Sequence, residues 1–315
     1  MLKRSMQFIG ILLLALIFFM IVLVATTWAP DQPLANLKQK WAPAPSAFIN
    51  LHGLNVHIRD QGIASDPVPI ILIHGTSSSL HTWEGWTDVL KTQHRVISMD
   101  LPGFGLTGPN VQDDYSNQVY VRFIIELMDQ LGIKRCILGG NSLGGEIAWQ
   151  VAASRPDRVE KLILVDAAGY AFIPESIPLG FRIARTPVLN KLVELTLPRD
   201  MMEKSVRNVY GNPGKVTAEL VDRYIATTLR AGNRHALVRR FSQLDAGAGS
   251  DKIKSLHLPT LIIWGAKDKL IPVKYAQEFH RDIPGSQLQI FDQLGHVPQE
   301  EDPAATLKVV QDFLR

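Results

Sequence analysis

Ser142 stands in the segment GGNSLGG, residues 139–145, where an apolar, β-like run (CIL) gives way to a helix-like one (EIAWQVAAS). A serine hydroxyl is a weak nucleophile, and Gly-x-Ser-x-Gly between a strand and a helix is an arrangement that exposes one on a forced turn. Gly140 and Gly144 lack the Cβ atoms that would clash where strand and helix approach so closely. Ser142 also falls at a helix start, where the helix dipole favours developing negative charge.

Such a serine needs a base, and the base needs an orienting group. Nine histidines compete for the first role. His296, in IFDQLGHVPQEEDP, lies in a Gly-His loop just after a late strand-like run. His280 falls inside an amphipathic helix and reads as a surface residue. His74 ends a strand beside a tight turn and reads as a structural group holding its loop. For the orienting acid, LIIWGAKDKLIP offers Asp268 in a loop after an apolar strand, with Asp166 at the end of LILVD as its competitor. Asp268 is preferred over Asp166, and the chain order Ser142, Asp268, His296 is the one expected for a strand–turn–helix serine. A tetrahedral intermediate also needs N–H donors for its oxyanion. Those expected are the Leu143 N–H and, from the early loop ILIHGTSSS, the Thr76 N–H.

The bulk properties narrow the field. At 315 residues the chain holds one large α/β domain or two modest ones, and 33 basic against 30 acidic residues leave no nucleic-acid footprint. The single cysteine, Cys136, rules out an intrachain disulfide and a cysteine-based zinc site, and its apolar setting marks it as a buried structural thiol. No metal or cofactor is called for.

Phe8 to Ala25 carries no charged or hydrogen-bonding side chain. As a helix rising ~1.5 Å per residue it spans about 27 Å, close to the hydrocarbon thickness of a bilayer. Lys3 and Arg4 precede it and no charge follows until Asp31, so the N-terminus is expected on the cytoplasmic side and the remainder beyond the membrane. The alternative is a cleaved signal and a secreted protein, but the apolar run is longer than a signal's and ATTWA is a poor cleavage site.

The domains follow from texture: a transmembrane signal anchor over 1–29, a Pro-rich linker over 30–46, an α/β core over 47–170 and 257–315, and a helical cap over 171–256. The linker is expected as a partly extended tether with a helical turn around Leu34 to Trp41. In the core, strand-like runs such as VPIILIHG and VEKLILVD alternate with helical ones and are apolar throughout, the pattern of a parallel sheet covered on both faces. From Ala171 to about Leu256 no convincing strand is found.

Together, HGTSSSLHTW, DLPGFGLT, GNSLGG, WGAKDKLIP and LGHVPQEEDP, in that order, resemble the α/β-hydrolase fold superfamily over about residues 47–315. The resemblance implies an eight-stranded, mostly parallel sheet flanked by helices, with the helical insertion as a cap over the site. Serine at the nucleophile position separates the chain from the similar haloalkane dehalogenases and epoxide hydrolases. GNSLGG is similar both to hydrolases that cleave carbon–carbon bonds of ring-fission products and to monoacylglycerol-lipase-like and carboxylesterase members. The expectation is a membrane-anchored serine hydrolase of carboxylic esters, lipid-like ones preferred, acting through Ser142, His296 and Asp268. Carbon–carbon, amide or thioester hydrolysis are the enzymatic alternatives, and a silent ligand-binding relative is the non-enzymatic one.

Overall fold

The computed structural model describes residues 2–315, except for the side chains of residues 2–4 and 16. Met1, and the Lys3 and Arg4 side chains on which the expected sidedness rests, lie outside the described residues. Helix α1 (Leu2–Thr27) comes first. It is long and apolar enough to cross a membrane, and Phe8, Ile11, Leu14 and Phe18 along it are all more than half exposed.

The linker is more ordered than its prolines suggest. Helix α2 (Leu34–Trp41) has two turns rather than one, and buries Leu37 and Trp41 against Leu106 of the core. Before it, Ala29 N–H donates to Leu195 O at 3.1 Å and Ala231 N–H donates to Gln32 O at 2.8 Å. Asp31 accepts from Arg234 at 2.7 Å and from the Gly232 N–H at 3.0 Å. The linker is therefore fastened to residues far along the chain.

Strands β1 (Ala47–Leu51) and β2 (Leu54–Gly62) form a hairpin whose turn, His52-Gly53, has positive φ at both residues. The chain then runs β3 (Ile70–Ile73), α3 (Glu84–Leu90), β4 (Arg95–Met99), α4 (Asn117–Gln130), β5 (Cys136–Asn141), α5 (Leu143–Ser154) and β6 (Val159–Val165). Five α-helices fill the interval before the next strand, with 3-10 turns at Pro213–Lys215 and Ser250–Ser255: α6 (Leu179–Arg185), α7 (Asn190–Leu195), α8 (Arg199–Val209), α9 (Ala218–Leu229) and α10 (Asn233–Ser242). The sheet resumes with β7 (Thr260–Gly265), α11 (Lys274–Asp282) and β8 (Gln287–Phe291), and the chain ends with α12 (Pro298–Glu301) and α13 (Pro303–Leu314).

The eight strands lie in the order β1-β2-β4-β3-β5-β6-β7-β8, antiparallel only where β2 meets β1 and β4. This is the mostly parallel sheet expected from the apolar runs. Strands β3, β5 and β7 are buried along their whole length because both sheet faces are covered. Ile71, Leu138 and Ile262 pack with Ile147, Trp149 and Phe279 on one face. Ile70, Ile137 and Ile263 pack with Trp83, Trp86 and Phe313 on the other. The carboxyl ends of these parallel strands converge on one edge, below the five inserted helices, and the loops that leave them carry the candidate site.

Candidate active site

Ser142 is the single residue between β5 and α5, and it is held at φ 56°, ψ −117°. That left-handed conformation is strained for a residue with a side chain and persists only where the surroundings impose it. Here the surroundings are backbone: Ser142 N–H donates to Val165 O at 3.0 Å, and its own carbonyl accepts from Glu146 N–H and Ala168 N–H. The glycine spacing has a steric basis. A Cβ on Gly140 would collide with the Gly144 carbonyl, and one on Gly144 with the Ile73 carbonyl at the end of β3. Gly75 is constrained too, since a Cβ there would lie 3.0 Å from the Ser142 Cβ.

His296 lies in the loop between β8 and α12, and Asp268 in the loop after β7. The His296 Nδ1 and Asp268 Oδ2 are 2.7 Å apart, and both side chains are buried. The second oxygen of Asp268 accepts the N–H groups of Leu270 and Ile271 at 2.8 and 3.0 Å. Two backbone donors and the imidazole thus occupy both oxygens of Asp268, and with Nδ1–H committed to Asp268 the Nε2 is left as the free ring nitrogen. Ser142 and His296 face one cavity, which Thr76 and Leu143 also line. Leu143 opens α5, so its N–H has no acceptor within the helix. Among the described residues the Thr76 N–H makes no backbone hydrogen bond.

The structure thus brings Ser142, His296, Asp268, Thr76 and Leu143 to one place. Asp166, the competing acid, is there as well. It follows β6 at φ 43° and is fully buried, and one of its carboxylate oxygens lies within 4.8 Å of an Asp268 carboxylate oxygen and a His296 ring nitrogen. Its partner is the Gly265 N–H at 3.0 Å, not the histidine.

Three supporting groups were not singled out from the sequence. The Asn141 amide donates to Val165 O at 3.1 Å and to His296 O at 2.9 Å. The Glu301 carboxylate accepts the N–H groups of Gly295 at 2.8 Å, Gly211 at 2.9 Å and Asn212 at 2.7 Å, tying the His296 loop to the end of α8. The third is a second buried acid–imidazole pair, His57 and Asp100, 2.6 Å apart. Asp100 also accepts the N–H groups of Leu80 and Leu106 at 2.7 Å, which fixes the loop carrying Thr76. Burial alone would raise its carboxyl, but the adjacent His57, His74 and His81 outweigh it and hold the group well below the usual range.

The other histidines and the thiol follow their sequence assignments. His74 Nε2 accepts the Leu101 N–H at 2.9 Å, so Nδ1 donates to Gly75 O at 2.7 Å, the loop-holding role expected. His280 is exposed on α11. Cys136 opens β5 and is buried, and burial pushes its thiol up to about 12, which leaves it unreactive.

The cavity holds about 220 Å³ and is roofed by the inserted helices, with Phe181, Val193, Leu197, Met202, Leu237 and Phe241 in its walls. Glu146 and Arg240 are buried charged groups in its wall; Glu146 accepts from Asn117 at 2.7 Å and faces Arg240 at 3.5 Å. Burial raises the Glu146 carboxyl, with Arg240 and Asn117 acting against it.

Comparison with known proteins places these features. The family model for the α/β-hydrolase fold matches residues 68–303. A 2-hydroxy-6-oxo-2,4-heptadienoate hydrolase of Pseudomonas putida is 30% identical over 274 residues, covering 83% of this chain and 93% of that protein. Among solved structures, a meta-cleavage product hydrolase from Pseudomonas fluorescens is 29% identical, with a TM-score of 0.74, over 85% of this chain and 97% of its own. A membrane phospholipase A, 23% identical with a TM-score of 0.73, covers all of this chain and 98% of its own, a likeness of fold.

Proposed function

The chain belongs to the α/β-hydrolase family, and from this premise we propose that it is a membrane-anchored serine hydrolase that cleaves carboxylic esters with apolar acyl groups. The observation that carries the reading is the apolar cavity into which both Ser142 and His296 open. Ser142 Oγ attacks the ester carbonyl while His296 Nε2 takes its proton. Asp268 holds the imidazole tautomer and stabilises the imidazolium. The Thr76 and Leu143 N–H groups bind the oxyanion, the positive end of α5 adding to them. His296 returns the proton to the departing alkoxide, and water then releases the acyl group by the same steps.

The anchor supports a substrate drawn from lipid. Trp28, just after α1, pairs with Thr196. More directly, Leu197 N–H donates to Thr27 O at 3.3 Å while Leu197 itself lines the cavity. The cap also exposes Ile173, Leu179, Val188 and Leu189, apolar side chains that a lipid surface would shelter.

A second reading, carbon–carbon bond hydrolysis, is favoured by the relatives at 29–30% identity. A dienoate substrate carries a carboxylate and calls for an unopposed cation. Of the cavity's arginines, Arg240 already faces Glu146 and donates to Tyr115 O at 3.1 Å, and Arg185 stacks on Phe241 at the exposed rim. An uncharged acyl group suits the buried part of the cavity, where the arginine is already opposed, while Arg185 at the rim makes no ion pair with an acid among the described residues.

The test is a comparison of kcat/KM for p-nitrophenyl esters of increasing chain length against a 2-hydroxy-6-oxo-dienoate, with the full-length protein in detergent. Ester turnover that rises with chain length supports the reading. Dienoate turnover exceeding the best ester replaces it with the second.

A further inference from the structure

Asp166 is the one acid of the catalytic cluster to which the mechanism gives no work. Its surroundings define its state. Oδ1 accepts the Gly265 N–H, but Oδ2 is buried with no donor to satisfy it. The ionisable groups facing it are Asp268 from the loop after β7, His296 from the loop after β8 and Glu301 from α12, so its close neighbours are two acids and an imidazole already held by Asp268. Two carboxylates this close in a buried site do not both ionise. Asp268, with two backbone N–H groups and the imidazole, is the better stabilised anion.

We infer that Asp166 is a neutral carboxylic acid whose Oδ2–H is donated to the Asp268 carboxylate, making it a positioning residue for the Asp268–His296 pair. The proton gives the orphaned Oδ2 a role, and the Asp268 oxygens then lie between backbone, acid and imidazole donors with no freedom to turn. The donated hydrogen bond also draws charge away from Asp268 and weakens its hold on the imidazolium formed during turnover. Burial and the charge of Asp268 both push the Asp166 carboxyl well above the ordinary carboxylate range, in keeping with this geometry.

The inference rests on the serine-hydrolase reading for its kinetic consequence but not for the protonation state itself, so the test has two arms. In the first, infrared difference spectra of full-length wild type against Asp166→Asn at pH 7 are expected to show a carboxylic acid C=O band lost in the variant. A carboxylate band lost instead overturns the assignment whatever the enzyme's activity. The second arm is the pH profile of kcat/KM on a short activated ester. Asp166→Asn keeps both a donor for Asp268 and an acceptor for Gly265, and its acid limb is expected to stay where the wild type has it. An ionised Asp166 would instead give an acid limb moved to lower pH in Asp166→Asn, because a negative charge beside the imidazolium has gone. Asp166→Ala removes the donor, and its acid limb is expected to rise by about half to one unit, with kcat/KM on that limb falling up to about tenfold and KM unchanged. A wild-type profile for a folded Asp166→Ala overturns the positioning role. Should that variant fail to fold, Asp166→Asn and the infrared arm decide the matter alone.

Discussion

The side-chain amide of Asn141 donates to the main-chain carbonyl of His296, 155 residues further along the chain, at 2.9 Å. The residue before Ser142 therefore holds the loop that carries His296, and its other hydrogen bond, to Val165 O, ties the same point to β6. Replacing Asn141 with Ala leaves the buried His296 carbonyl unpaired and Val165 O with the Ser142 N–H alone, a loss of about 1–3 kcal/mol in stability. The expected kinetic effect is a fall in kcat of more than about tenfold with little change in KM, since misplacing the base affects the transition state more than substrate binding. Urea denaturation and ester kinetics check the two parts separately.

Glu301 acts on the same loop from the other side. Its carboxylate accepts three backbone N–H groups, and the Gln variant places an NH₂ where an acceptor is needed. Glu301→Gln is expected to lose about 1–3 kcal/mol and to lower kcat along with it. A wild-type melting temperature and turnover would show that the three contacts do not hold the loop.

His81 gives the fold an acid limit. Burial lowers it to about 4, with Arg223 and Arg59 adding to burial and Asp100 opposing. Its neutral form accepts from Ser79 Oγ and donates to Trp41 O, each at 2.9 Å. The unfolded imidazole takes up its proton near pH 6.5 and the folded one only near 4, so the unfolded chain binds more protons in between. Stability is therefore expected to fall as pH drops from 6.5 to 4, by up to about 3 kcal/mol from this group. His81→Gln should flatten that part of the denaturation-midpoint profile, and an unchanged slope would assign the acid sensitivity elsewhere.

The linker's contacts predict that truncation is not graded. A chain beginning at Trp28 keeps the pairing of Ala29 and Gln32 with the cap and the burial of Leu37 and Trp41. It is expected to retain wild-type stability and activity on a soluble short-chain ester. A chain beginning at Ala42 loses all of these and leaves Leu106 uncovered, and should melt several degrees lower. Equal melting temperatures for the two would show the linker to be a passive tether.

How much of this could be read from the sequence depended on how far apart the partners are. The Ser142 turn was legible because its requirements are local: the strand, the two glycines and the helix all lie within a few residues. Asp268 and His296 were legible as polar residues in loops after strands. Nothing local separates Asp268 from Asp166, since both follow apolar strands and both stand between Ser142 and His296 in the chain; only the fold shows one on the histidine and the other on a backbone N–H. Asn141, Glu301 and the His57–Asp100 pair were not legible, because their partners lie 6 to 155 residues away and no local pattern marks them. The linker misled for the same reason. Its prolines signal an extended chain correctly, but the residues that fasten it belong to helices far along the sequence.

The central claim is that Ser142 is the nucleophile of an ester hydrolase. It is tested most directly by mass spectrometry of the full-length protein treated with a fluorophosphonate probe. The account predicts one adduct, on the peptide containing Ser142, absent from Ser142→Ala and formed far more slowly in His296→Ala, in parallel with the loss of esterase activity. An unlabelled wild type, or equal labelling and turnover in Ser142→Ala, would contradict it.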